Sequence, residues 1–182
     1  MVDAYDGIND LPGGGVPDLS AGAAPTGDSA HFRSVLGHFA TGIAVVTGAL
    51  DGVPAGLTCQ SFVSLSLDPP LVGFCPSKRS RSWRRIEQSG AFCANVLTED
   101  QEDVSRVFAT SGADKFRGVG WRAAESGSPI LHDVLAWVDC RIDARYDAGD
   151  HFIVVGRVLG MEAASHGRPL LAYRGGYGRF DS

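Results

Sequence analysis

The succession of apolar and polar residues predicts a mainly β domain, an antiparallel barrel with a few short helices inserted between its strands. Three observations carry this expectation. Over 136–146 the chain alternates strictly. Ala136, Val138, Cys140, Ile142, Ala144 and Tyr146 fall on one face and Trp137, Asp139, Arg141, Asp143 and Arg145 on the other, as in a strand with one buried side. The β-branched run GIAVVTG leads to Asp51-Gly52, a tight-turn signal, so 53–58 is expected to return as its hairpin partner. The segment HFIVVGRVLGM follows a turn-like stretch at 147–150 and carries Gly156 in mid-strand, where a bulge or tight barrel corner is expected.

Further elements fit between these strands. Residues 1–28 contain Pro12, Gly13, Gly14, Gly15, Pro17 and Pro25 with no apolar period, so they read as a flexible tail ahead of a domain spanning 29–182. Phe32, Val35, Leu36 and Phe39 share one face at helical spacing, with Asp28 or Ser29 as N-cap and a stop near Gly42. Strands are expected at 71–75 and 91–97, separated by a short helix over 80–89 that Gly90 closes. Thr98 with Gln101 forms a capping-box signature for a helix running to Phe108.

Composition narrows the function classes. A chain of 182 residues, 44% hydrophobic and 20% charged, has the length and make-up of one globular domain. Its net charge of −5 excludes a general nucleic-acid binder, which needs a surplus of Lys and Arg. No apolar stretch is long enough to span a membrane and the start lacks signal-peptide character, so a cytoplasmic protein without membrane contact is expected. Cys59, Cys75, Cys93 and Cys140 form no C-x-x-C pair and sit in apolar, strand-like settings, as buried free thiols do. The histidines show no ligand spacing, so no metal is expected.

Most enzyme motifs are missing. There is no G-x-S-x-G, no H-E-x-x-H, no phosphate-binding G-x-x-x-x-G-K and no G-x-G-x-x-G between a strand and a helix. The informative stretch is 56–83, GLTCQSFVSLSLDPPLVGFCPSKRSRSW, which joins two polar clusters. The first, 58–61, ends a strand with small polar groups suited to gripping a planar polar ligand. The second, 77–82, precedes a predicted helix, and five of the 16 basic residues lie between Lys78 and Arg85. A helix start carries unpaired N–H groups and partial positive charge, so added cations make a phosphate site there. The same residues also fit a solvated basic helix start with Ser80 or Ser82 as N-cap, and both readings stand on chemistry alone.

The segments TGIAVVT, SFVSLSLDPPLVGF, the Ser/Lys/Arg cluster ending in SW, SGAFCANVL, GDHFIVVGRV and PLLAYRGGYG occur in an order and spacing that resemble the short-chain flavin reductases serving two-component flavin-dependent monooxygenases. The resemblance covers about Phe32 to Phe180. It implies an antiparallel split β-barrel of Greek-key type with flanking α-helices, a homodimer, and flavin near the dimer boundary. Carried onto this sequence, it implies that Thr58, Cys59, Gln60 and Ser61 line the isoalloxazine and ribityl part. Ser77, Lys78, Ser80, Arg81 and Ser82 would hold the phosphate end, and Asn95 would stand close to the ring. Gln60 replaces the Asn or similar small group that many relatives carry. His151, in the GDH segment, resembles a histidine beside the nicotinamide, although a histidine at a strand start also serves as a hydrogen-bonded turn residue. Tyr173 and Tyr177 resemble residues that close over the site, and an aromatic pair packing the C-terminus is the equal alternative. Lys115-Phe116 after Asp114 also matches a family pattern, with a solvated Lys beside a packed Phe as its plainer explanation.

The resemblance implies an enzyme that moves hydride from NADH to FAD or FMN and releases reduced flavin to a separate flavin-dependent monooxygenase. FAD is favoured over FMN and NADH over NADPH. The reactive atoms belong to the small molecules, so the protein needs positioning groups rather than an acid or nucleophile of its own. The competing expectation is a split-barrel flavin-binding protein without NADH turnover. A haem-binding barrel is a third, for which His38, His132 and His166 supply no axial-ligand pattern.

Overall fold

The computed structural model describes residues 29–112 and 114–180; the tail expected over 1–28 and the candidate cap Asp28 lie outside the described residues. In chain order the elements are α1 (Ser29–Leu36), β1 (Thr41–Gly42), β2 (Ala44–Leu50), β3 (Val53–Cys59), β4 (Val63–Leu67), β5 (Pro70–Phe74), α2 (Arg81–Ser89) and β6 (Ala91–Val96). A 3-10 turn (Glu99–Gln101) follows, then α3 (Glu102–Ala109), β7 (Trp121–Ala123), β8 (Pro129–Leu131), β9 (Ala136–Ala148), β10 (His151–Ala163), β11 (Leu170–Tyr173) and β12 (Gly176–Arg179).

The fold is mainly β and antiparallel. Seven strands run in the order β3-β2-β6-β9-β10-β5-β4, beside a three-stranded sheet β1-β11-β12 and a two-stranded ribbon β7-β8. Among the described residues no ladder joins β3 to β4. None of the described helices is long and apolar enough to cross a membrane. The chain divides at Val35/Leu36, and the sheets belong to the unit that begins at Leu36.

Local chemistry accounts for most boundaries. The β2–β3 hairpin turns at Asp51 and Gly52, with φ of 52° and 75°, the positive pair that a two-residue turn demands. Ser80 caps α2 by accepting from the Trp83 N–H at 3.1 Å, and Gly90 ends it in the left-handed conformation. The capping box forms: Gln101 Oε1 accepts from the Thr98 N–H at 3.1 Å. Helix α1 stops at Leu36, short of the expected Gly42, because Thr41 and Gly42 are already paired with Ala172 and Leu171. Phe32, Val35, Leu36 and Phe39 are all exposed among the described residues.

Strand β2 divides the core. Its first residues, Ala44 to Thr47, are buried on both faces. Val46 joins Phe74, Trp83, Ile86, Phe92, Cys140 and Val154, while Val45 joins Ile43, Leu97, Phe108, Leu131 and Leu170 on the other side. Each such side chain contributes about 1.5–3 kcal/mol by leaving water. All four cysteines are free thiols; three are buried and Cys75 is half-buried.

Strand β9 departs from strict alternation twice. Asp139, on the face expected to be wet or paired, is buried and paired: Ser126 donates to its carboxylate from N–H at 3.0 Å and from Oγ at 2.5 Å. Tyr146, on the expected core face, is exposed where β9 pairs with Ile153 near the hairpin tip. The ladder with β10 slips between Val155 and Gly156, as the mid-strand glycine suggested, and again between Val158 and Gly160. A Cβ at Gly156 would enter the Phe92 ring and crowd Cys140. Gly156→Ala is therefore expected to destabilise the fold by about 1–3 kcal/mol, the cost of overpacking a filled core, read as a lower midpoint in urea unfolding.

Candidate functional site

The two polar clusters meet in one cleft of about 1250 Å³. One wall is the whole of β3 continued through Gln60 and Ser61; the facing wall is the β5–α2 connection and the first turn of α2. The end of α3 and residues 111, 112 and 114–116 close one end, and His151 stands at the other side. Of the residues singled out from the sequence, Thr58, Cys59, Gln60, Ser61, Ser77, Ser80, Arg81, Ser82 and His151 line this cleft together. Arg79, Arg85, Lys115 and Phe116 line it too.

Backbone bonds hold the walls in register. Phe152 N–H donates to the Pro76 carbonyl and Lys78 N–H to the Asp150 carbonyl, both at 3.0 Å, with a bridge between Ser77 and His151. The tip of the β9–β10 hairpin is thereby sewn to the connection that carries the serines. His151 Nδ1 lies 2.7 Å from Asp150 Oδ1, and that contact holds the Asp150 carboxyl below its usual range.

The hydroxyls have defined roles. Thr58 Oγ1 donates to the Ser105 carbonyl at 2.6 Å, so its remaining capacity is to accept. Ser61 Oγ accepts from Cys75 N–H at 2.8 Å and lies 3.3 Å from Cys59 Sγ. Burial pushes the Cys59 thiol upward, so it remains a neutral lining group. Ser77 Oγ accepts from Arg79 N–H at 3.3 Å, and Ser80 is used as the helix cap.

Four expected site residues stand elsewhere. Lys78 turns from the cleft to pair with Asp147 at 2.6 Å and to sit over the Phe152 ring at 5.2 Å. Asn95 is fully buried, its Nδ2 sharing two hydrogens among Val45 O, Thr47 Oγ1, Cys93 O and Pro129 O and its Oδ1 accepting from Leu131 N–H at 2.8 Å. Its amide fastens β8 to β2 and β6 instead of lining the cleft. Tyr173 is exposed and meets His38 edge-on at 6.4 Å. Tyr177 lies behind the wall, its Oη 3.0 Å from Ser105 Oγ and its ring under Arg106 at 4.7 Å, and reaches Thr58 only through Ser105.

The sequence did not mark Gly56 or Phe108. A Cβ at Gly56 would strike the Phe108 ring, so α3 closes on β3 at this glycine. Nothing in the local pattern announces a contact between residues so far apart. Among the described residues no cluster of His, Cys, Asp and Glu is arranged to hold a metal.

A hydroxyl-lined wall thus faces an arginine-rich helix start, a combination of groups suited to an extended, polar, anionic small molecule. A model of the flavin reductase like domain matches residues 36–181, and the chain belongs to that family. The reductase subunit of a flavin-dependent monooxygenase from Mycobacterium tuberculosis is 56% identical over 152 residues, covering 82% of this chain and 81% of that one. The crystal structure of nitrilotriacetate monooxygenase component B from Mycobacterium thermoresistibile superposes with a TM-score of 0.81 at 49% identity, covering 84% of this chain and 86% of that one. The NADH:FAD oxidoreductase of Streptomyces globisporus gives 0.83 at 34% identity, covering 89% and 99%.

Asn95→Ala is expected to lower stability by about 1–3 kcal/mol, since it strands the buried Leu131 N–H and several carbonyls. In the folded fraction, flavin affinity measured by fluorescence quenching should stay within twofold of the parent, roughly the scatter of a site that loses no contact.

Proposed function

We propose that this chain is an NADH-dependent flavin reductase that reduces diffusible FAD or FMN and passes reduced flavin to a separate flavin-dependent monooxygenase. The observation that carries this reading is the convergence of 58–61 and 77–82 on one cleft with His151 beside them. The relatives support it. They include a reductase subunit of a monooxygenase and an NADH:FAD oxidoreductase that has been crystallised with NAD and FAD fragments.

The donor set fits a flavin. Thr58, Cys59, Gln60 and Ser61 supply a short polar wall for the ring and ribityl chain, and Thr58, with its proton already given away, accepts from a ring N–H. Ser77, Ser82, Arg79 and Arg81 surround the start of α2 as an anion site, where helix N–H groups and cations reinforce one another. The flavin and nicotinamide supply the hydride chemistry, so the residues of the chain bind, orient and exclude water. His151, its Nδ1 held by Asp150, positions the nicotinamide. Tyr173 and Tyr177 are not among the residues that line the cleft, and their contacts with His38 and Ser105 support the alternative of aromatic packing near the C-terminus.

The seven-stranded antiparallel sheet with two small sheets supports the split-barrel architecture of the family. A homodimer is supported by the exposed row Val63, Leu65 and Leu67 on β4, an edge strand whose apolar side chains are left uncovered among the described residues. Free thiols and the use of NADH support work in the cytoplasm.

The test is loss of NADH absorbance in air with FAD, FMN or no added flavin. Saturable turnover that depends on added flavin is expected. Tight flavin binding without turnover would favour a flavin-storing protein instead. Ser61→Trp and Ser82→Trp should each weaken flavin binding at least tenfold, about the loss of one or two good hydrogen bonds; unchanged affinity in both would remove the site. His151→Ala should raise the KM for NADH more than that for flavin.

A further inference from the structure

His151 and Phe152 open β10, and neighbours in a strand point to opposite faces. His151 stands at the cleft, so the Phe152 ring lies on the other face of the hairpin, packed against the main core. There it meets two cations. Lys78 Nζ lies 5.2 Å from the ring centroid and the Arg145 guanidinium 4.3 Å. Lys78 reaches the ring from the β5–α2 connection, and Arg145 comes from β9, two residues before Asp147, which pairs with Phe152 across the ladder. Each cation also has a carboxylate at 2.6 Å: Asp147 for Lys78, and Glu87 of α2 for Arg145. The Lys78 contact holds the Asp147 carboxyl below its usual range.

Such contacts add little to folding: exposed ion pairs are worth little, and a cation over a partly exposed ring adds only slightly more. What they fix is direction. Each cation is held at two points, ring and carboxylate, so the start of β10 is gripped from α2, from β9 and from the β5–α2 connection at once. The backbone beside it is fixed as well, by Phe152 N–H on the Pro76 carbonyl and Lys78 N–H on the Asp150 carbonyl. On its own face the His151 ring meets Asp150, a partner whose side chain is 90% exposed and therefore itself open to water. The firmer hold on His151 comes from the Phe152 side.

We propose that Phe152, clamped by Lys78 and Arg145, is a positioning residue that sets the direction of His151 and thereby the placing of the nicotinamide, while flavin binding is left to the walls of the cleft. This rests on the reading of His151 as the group beside the nicotinamide. Lys78, whose residue type suits a phosphate, serves the reducing cosubstrate through the clamp instead.

The experiment, on the full chain, reads kcat/KM for NADH at saturating FMN and, separately, the Kd for FMN by fluorescence quenching. Lys78→Met should lower kcat/KM for NADH about threefold, the scale of one partly exposed cation–ring contact, and Phe152→Leu, which removes both contacts, roughly tenfold. In both variants the FMN Kd should stay within about twofold of the parent. Lys78→Arg and Phe152→Tyr keep a cation and a ring, so each should remain within about twofold on both readings. In a His151→Ala background, Phe152→Leu should add less than its full effect, because the group it directs is gone. Equal losses in FMN affinity and in kcat/KM for NADH would make the clamp a brace of the whole site, or Lys78 a flavin ligand, and overturn the proposal, as would a fully additive cycle. If His151→Ala slows NADH use while Lys78→Met and Phe152→Leu do not, the clamp falls and the reading of His151 stands. If His151→Ala leaves kcat/KM for NADH unaltered, that reading falls and this proposal with it. Should Phe152→Leu fail to fold, Lys78→Met, at a side chain partly open to water, takes its place in the cycle and is judged by the same two readings.

Discussion

Phe92 on β6 and Gly156 on β10 are separated by β9, yet the ring occupies the space that a Cβ on Gly156 would fill. Neighbouring strands lie about 4.8 Å apart, so a contact across an intervening strand requires the sheet to curl around the side chain. The slipped register at Gly156 and the small Cys140 opposite Phe92 permit that curl. Phe92 then meets Phe74 at 4.9 Å, and Phe74 meets Trp83 edge-on at 5.5 Å. This aromatic chain ties β6, β10, β5 and α2 into one packed unit. Through Trp83, it also fixes where the first turn of α2 can stand.

The cleft is built from the ends of elements whose middles are held in this way. Ser61 follows β3, Ser77 and Ser80 precede α2, and His151 begins β10. None of these residues is itself deeply buried, but each lies within a few residues of a ladder or core side chain. The bonds from Phe152 to Pro76 and from Lys78 to Asp150 turn separate loops into a single rim. Ion pairs between Lys78 and Asp147 and between Arg145 and Glu87 brace the same hairpin from outside, with both cations against the Phe152 ring. Exposed pairs of this kind add little stability individually. Their value here is to limit where the hairpin tip can go.

Elements governed by local chemistry were legible in the sequence. The Asp51-Gly52 hairpin, the Ser80 cap, the Gly90 stop and the Thr98-Gln101 box form from neighbours in the chain, and the structure contains each one. The polar clusters 58–61 and 77–82 could be picked out by composition, and their meeting depends on strand order that composition does not encode. Side chains decided by distant partners were less legible. Alternation placed Asp139 on a face that is wet or paired, and only the fold shows that Ser126, thirteen residues away, pairs with it in a buried setting. Asn95 and Lys78 have residue types suited to a ligand, and their partners outside the cleft, Pro129 and Leu131 for one and Asp147 for the other, come from strands that the local pattern does not bring near them. Lys115 drew notice only through a family pattern, since its three acceptors come from three separate elements.

The deep placement of the thiols bears on the hazards of the chemistry. Reduced flavin that meets dioxygen before it reaches an oxygenase yields hydrogen peroxide, and peroxide attacks the thiolate form of cysteine. Burial raises the pKa of Cys59 and Cys93, and that of Cys140 to about 12, so these three remain protonated in neutral solution. The packing that closes the core around Cys140 and Phe92 therefore also shields the protein from an oxidant generated by its own product.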